Sequence, residues 1–147
     1  MSKFEASYTR VTNTDNDLYA MLADVASQQG DAEVIAKYAH LAEREALEYR
    51  HILHQAVAHR AWGVYHRLRN EYDESALRLH KALDIFKILE TKWQIGRTYL
   101  ELGKVAETIH DFHTARSHYN EALKAFEEMK ATPAVTTTRK RLNSLPA

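Results

Sequence analysis

Cysteine is missing from the 147-residue chain. That removes disulfides, thiolate metal sites and cysteine nucleophiles at once. Glycine occurs four times and proline twice, both prolines near the end, so few residues are present to break a helix or reverse the chain. None of the glycines falls in a phosphate-cradling loop of the GxGxxG or Walker type. Charge of one sign is also lacking: 20 Lys+Arg stand against 20 Asp+Glu, without the basic surplus a dedicated nucleic-acid binder needs. No window approaches the ~18 apolar residues of a membrane span, and "MSKFEASYTRVTNTDND" has no apolar core of a secretory signal. No serine or threonine nucleophile can be placed beside a base. The expectation is a cytoplasmic, non-enzymatic protein without cofactor, metal, nucleic-acid or membrane partner.

What is present favours helix. Ala, Leu, Glu, Lys, Arg and Gln dominate long stretches, and no segment alternates with period two for long. The chain slides onto itself by forty residues. Trp62-Gly63 falls on Leu102-Gly103, Tyr72 on Phe112, Leu79 on Tyr119, Ala82-Leu83 on Ala122-Leu123, and Phe86 on Phe126. These positions are large or small in step, as a repeated helix pair needs: bulky residues fill an interface and small ones let backbones approach. A weaker copy lies upstream, with Leu22-Ala23, Ala39 and Ala42 in register and a departure at Glu43, where the later copies carry leucine.

Each copy divides into an A and a B helix, expected at 16–29 and 32–49, 52–68 and 72–90, and 93–109 and 112–130. The last B helix carries a stripe of Phe112, Ala115, Tyr119, Ala122, Leu123, Phe126 and Met129. Pro133 suits the first turn of a further helix. There Val135 and Leu142 fall forty residues after Ile95 and Leu102, as in a truncated A helix capping the stack. The expected fold is all-α: a right-handed α-solenoid of about three helix-turn-helix repeats (16–50, 52–90, 93–130) and a C-terminal capping helix (133–143), between a flexible tail at 1–14 and a short tail at 144–147.

Tyr99, Leu102 and Gly103, followed by Ala115, Tyr119 and Ala122, resemble the tetratricopeptide-repeat family, in its long-period form similar to MalT-like bacterial regulators. The likeness covers residues 52–130 and, more weakly, 16–50. It implies a protein- or peptide-binding module, in the setting of bacterial regulation. It departs at Ala106, where an aromatic is usual, and at His59 and His66, which take the bulky positions of the middle A helix. The asparagines of the chaperone-tail clamp are replaced by Asp24 and Val64, so binding of that kind is not expected.

A superhelix of such repeats lines its concave face with A helices. The wheel directs Asp24, Val57, Arg60, Val64, Arg67, Arg97, Glu101 and Lys104 to that face, making a mildly basic groove for an acidic segment of a protein or peptide. Its competitor is a solvated face with internal ion pairs such as Arg97 with Glu101. A second reading is a structural module that forms homo-oligomers through exposed repeat ends.

The nine histidines raise a third reading, a metal-binding bundle. Glu48-x-x-His51 and Glu107-x-x-His110 are elements of the di-iron type. The register places His51 at a B-to-A junction and His110 in a turn, so they do not face one another. His51 and His54 alone would hold nickel or zinc adventitiously. His59 and His66 are expected to pack partly buried on either side of Trp62, each ring keeping one hydrogen bond; the alternative is a seam that protonation would loosen. His40 and His80 repeat at a B-helix flank. His110, His113 and His118 are expected not to converge, and to mark solvated flanks. Arg139-Lys140-Arg141 reads as the solvated side of the cap.

Overall fold

The computed structural model describes residues 14–147. The tail expected at 1–14 lies outside the described residues except for Thr14, which opens the first helix. Seven helices follow: α1 (Thr14–Gln29), α2 (Ala32–Glu48), α3 (Ile52–Leu68), α4 (Tyr72–Ile88), α5 (Lys92–Thr108), α6 (Phe112–Glu128) and α7 (Thr132–Ser144). Each packs on its neighbours in the chain, giving three antiparallel pairs and a cap. No helix among the described residues is long and apolar enough to cross a membrane.

The forty-residue period is two periods of twenty. Helices α2 to α6 all have 17 residues, and a left-handed residue closes each turn: Gly30, Arg50, Asn70, Glu90, His110 and Lys130. Around the last five, the amide two residues past the helix cap bonds back to the carbonyl five residues earlier. Examples are His51 to Ala46 at 2.8 Å and Asp111 to Ala106 at 2.9 Å. This is the Schellman arrangement, and it satisfies carbonyls the helix leaves open. Glycine is the usual residue there because a Cβ in this conformation costs about 1–2 kcal/mol. Glycine's extra freedom in the unfolded chain takes back about 0.4–1 kcal/mol. At the exposed Glu90 (φ 55°), Glu90→Gly should therefore raise stability by about 0.5–1 kcal/mol. A thermal melt showing a lower midpoint would contradict this.

Burial follows the repeat. Ile35, Ser75 and Ala115 are buried in register, as are Ala39, Leu79 and Tyr119, then Ala42, Ala82 and Ala122, then Ala46, Phe86 and Phe126. The stripe expected on α6 stops at Phe126: Met129 is the cap and is 45% exposed, while Ala125 is buried. Each B helix packs on its own A helix at a small residue. A Cβ on Gly63 would lie 2.5 Å from Leu79 Cγ, and one on Gly103 would lie 2.3 Å from Tyr119 Cε1. In the first pair the equivalent residues are Ala23 and Ala39, both fully buried, and a smaller B-helix residue tolerates the extra methyl.

The A helices pack directly on one another, α1 on α3 and α3 on α5. Neighbouring B helices also meet through long side chains. Glu43 on α2 accepts a hydrogen bond from Arg78 on α4, whose guanidinium also lies 3.0 Å from His59 Nδ1. This explains the departure at Glu43, where a polar contact replaces a leucine. In a curved stack of repeats the closer row lies on the inside, which makes the A-helix side the candidate concave face.

Candidate functional site

Three A helices meet at one carboxylate. Asp24 of α1 accepts from Arg97 of α5 at both oxygens, at 2.8 and 3.0 Å, and from Arg60 of α3 at 3.2 Å. Arg60 is 1% exposed. It also donates to the Gln94 carbonyl and the Thr98 hydroxyl, and its guanidinium lies 5.0 Å from the centre of the Phe86 ring. Burial pulls the Arg60 pKa down to about 10, with Arg97 adding to the effect and Asp24 opposing it, so it remains a cation at neutral pH. Burial raises the Asp24 carboxyl, but the bonds and charges of Arg97 and Arg60 outweigh it and hold the pKa below the usual carboxylate value.

A second trio lies further along the face. Glu101 accepts from Arg67 at 3.4 Å and from Lys104 at 3.0 Å. Both trios set two cations against one carboxylate, so four cations share two carboxylates and two positive charges are left over. The ion pair weighed from sequence, Arg97 with Glu101, is replaced by Arg97 with Asp24 and Glu101 with Arg67 and Lys104.

The Asp24–Arg97 bridge divides the concave face in two. On its C-terminal side is a groove of about 430 Å3 holding Arg67, Arg97, Glu101 and Lys104, with Trp93, Leu100 and Phe126 as its apolar part and Pro133 and Thr137 of α7 as its far wall. On its N-terminal side is a pocket of about 310 Å3, to which Asp24 and Val57 belong. The eight residues placed on this face from sequence are thus distributed. Four line the groove and two line the pocket, while Arg60 and Val64, each 1% exposed, lie beneath the surface. The helical wheel misplaced these two because α3 is flanked by α1 and α5, which cover its inward side chains. The wheel also omitted Trp93, Leu100 and Gln94. Leu100 stands forty residues after Arg60, which the wheel placed on the face, so the repeat register carried a signal for it, whereas Trp93 and Gln94 follow Leu53 and His54, which the wheel left off the face.

The histidines do not form one centre. His51 caps α3, accepting from the His54 amide at Nδ1, and His110 sits in the α5–α6 turn. The two Glu-x-x-His elements thus occupy separate turns. Among the described residues, Asp17, His51 and His54 bring ligand atoms within 4.8 Å of one another. The two rings, however, stack 3.6 Å apart at 10°, so their in-plane lone pairs do not meet on one ion. His113 is exposed, but His118 is half-buried, 5.8 Å from Tyr99 and 6.3 Å from His80 between ring centres; a solvated flank was expected for it. His59 and His66 are partly buried, on Arg78 with Glu43 and on Glu71 respectively. In the cap, Arg139 and Arg141 pair with Glu127 and Glu107.

Burial, as the largest cause, holds the pKa of His54, His59 and His118 below the usual value. The unfolded chain takes up these protons near pH ~6.5 and the folded chain only at lower pH. Their contribution to stability is therefore complete above ~6.5 and is lost as pH falls below it. The melting temperature should fall between pH ~7.5 and ~5.5; an unchanged value would contradict this assignment.

Residues 53–128 match the family model of the tetratricopeptide repeat. That is more than half of the 147 residues, and the chain belongs to the tetratricopeptide-repeat family. Repeats of this family generally mediate protein–protein interactions as non-catalytic scaffolds. No curated protein matches the chain.

Proposed function

We propose that the protein holds an acidic segment of a partner protein in the groove that Arg67, Glu101 and Lys104 line on its concave face. The observation that carries this reading is the pair of trios in which two cations share one carboxylate. Glu101 cannot neutralise both Arg67 and Lys104, and a carboxylate from a partner would complete the second pair. Trp93, 40% exposed and 5.3 Å between ring centres from Phe126, offers an apolar surface next to the charges. Peptide grooves combine these features: an apolar anchor supplies burial and charge fixes orientation.

The test uses a short peptide of glutamates around one phenylalanine, titrated while the Trp93 indole signal is followed by NMR. The unmodified protein should show a saturable shift that weakens with salt. Lys104→Glu combined with Arg67→Glu should weaken binding at least tenfold while the amide spectrum stays folded. Equal binding by the reversed variant would remove the reading.

A further inference from the structure

The pocket on the N-terminal side of the bridge has the opposite chemistry. Two carboxylates reach it, from Asp17 and Asp24, and Asp24 is already occupied by two arginines. His54 Nε2 lies 3.1 Å from Asp17 Oδ1. An ionised carboxylate only accepts, so Nε2 carries the proton and Nδ1 of the neutral ring is left as an acceptor. That Nδ1 is buried and has no partner among the described residues, on a residue only 8% exposed. Gln94 Oε1, on another residue of the pocket lining, is likewise a buried acceptor without a donor among the described residues. A buried acceptor left unsatisfied is costly, and these two leave the pocket wall without a donor of its own among the described residues. Met21 and Leu53 supply apolar wall beside them, and Met21 is 65% exposed.

We propose that this pocket takes an alkyl cation, the lysine or arginine side chain of a bound protein segment. Its methylenes lie along Met21 and Leu53, and its charged head pairs with Asp17, whose carboxylate is held in place by His54 Nε2–H. A cationic head is chosen over a neutral donor because Asp17, 49% exposed at its side chain, has no basic partner among the described residues beyond the neutral His54. The stem is apolar because long cationic side chains bury their methylenes and keep their heads among polar groups. The inference deepens the groove reading: with the acidic part of the segment beyond the Asp24–Arg97 bridge, the concave face would read a basic residue followed by acidic ones, and would fix the direction of the bound chain.

The pocket is tested with a small probe, so that its failure is separate from failure of the groove. N-acetyl-lysine methylamide is titrated into the full chain while the Met21 and Leu53 methyl signals are followed. The expected result is a saturable shift of both, absent with N-acetyl-norleucine methylamide, which has the same stem without the ammonium. Asp17→Asn should weaken it at least fivefold, and His54→Phe should weaken it with the fold intact by amide spectrum. The shift should persist in the Arg67→Glu, Lys104→Glu variant, which tests the groove alone. Equal shifts from the norleucine analogue, no effect of Asp17→Asn, or shifts confined to the acidic turn at Glu71, Asp73 and Glu74 would overturn the proposal. Butane-1,4-diamine binding far more tightly than the lysine analogue would overturn the assignment to a partner's side chain. Zinc displacing the lysine analogue through His51 would do the same.

Discussion

Asp24→Ala should lower the melting temperature by about 10 °C. The loss comes from Arg60, which is 1% exposed and would be left as a buried cation without its carboxylate. Removing one partner of a buried pair costs about 3–5 kcal/mol. The lower end applies because the Asp24 side chain is itself 23% exposed, so water reaches the bridge. For a domain of this length about 1 kcal/mol corresponds to about 3–4 °C. The Arg60 Nε is already without a partner among the described residues, and the groups left in contact with the guanidinium, the Gln94 carbonyl, the Thr98 hydroxyl and the Phe86 ring, are neutral. Replacing both members with apolar groups is often neutral or stabilising, so Arg60→Met in the Asp24→Ala background should recover most of the loss. A drop that Arg60→Met does not recover would show that Asp24 acts through Arg97 or through helix packing instead.

Gly103→Ala should destabilise by about 1–3 kcal/mol, although alanine is the better helix former by about 1 kcal/mol. The clash decides the sign. The new Cβ would sit 2.3 Å from Tyr119 Cε1, and the ring cannot step aside: it is fully buried, and its hydroxyl donates to Glu107 at 2.7 Å. Burial and that bond hold the Tyr119 pKa above the usual phenol value, so it remains a donor throughout the accessible range. Tyr119→Ala alone opens a cavity and costs about 3–5 kcal/mol, by analogy with other large aromatics. In that background, Gly103→Ala should become stabilising, because propensity remains and the clash is gone. This reproduces the first repeat, where Ala23 and Ala39 take the two places. A double-mutant cycle measured by denaturant unfolding checks the change of sign. Additive losses would mean that the close approach at Gly103 is not what limits the side chain there.

These two residues show what could be read in advance. Gly103 and Tyr119 stood out because they repeat Gly63 and Leu79 at a spacing of forty, and position within the repeat fixed their contact. The helix pairs were legible for the same reason, since large and small residues recur in step. The twenty-residue spacing of the turns was not read, because four of the left-handed positions carry Arg50, Glu90, His110 and Lys130, residues with no turn signature. At the candidate site, Arg67, Glu101 and Lys104 fell together as the wheel placed them. Arg60 was assigned to the right face of α3 but to the wrong depth. A wheel gives direction around one helix, not the cover provided by two others. The Asp24–Arg97 bond joins residues 73 positions apart on helices that do not neighbour each other in sequence, and no local pattern announces it. His118 was misjudged for a related reason: Tyr99 and His80 reach it from other helices.

The measurement that bears most directly on the binding role is selection from a random peptide library displayed against the whole chain, with charge-reversed protein as the comparison. Enriched peptides should carry clustered Asp and Glu beside an aromatic or leucine. They should bind the Arg67→Glu, Lys104→Glu variant at least tenfold more weakly than the unmodified protein. Enrichment of neutral or basic peptides, or equal binding to the reversed variant, would contradict a concave face built to hold an acidic segment.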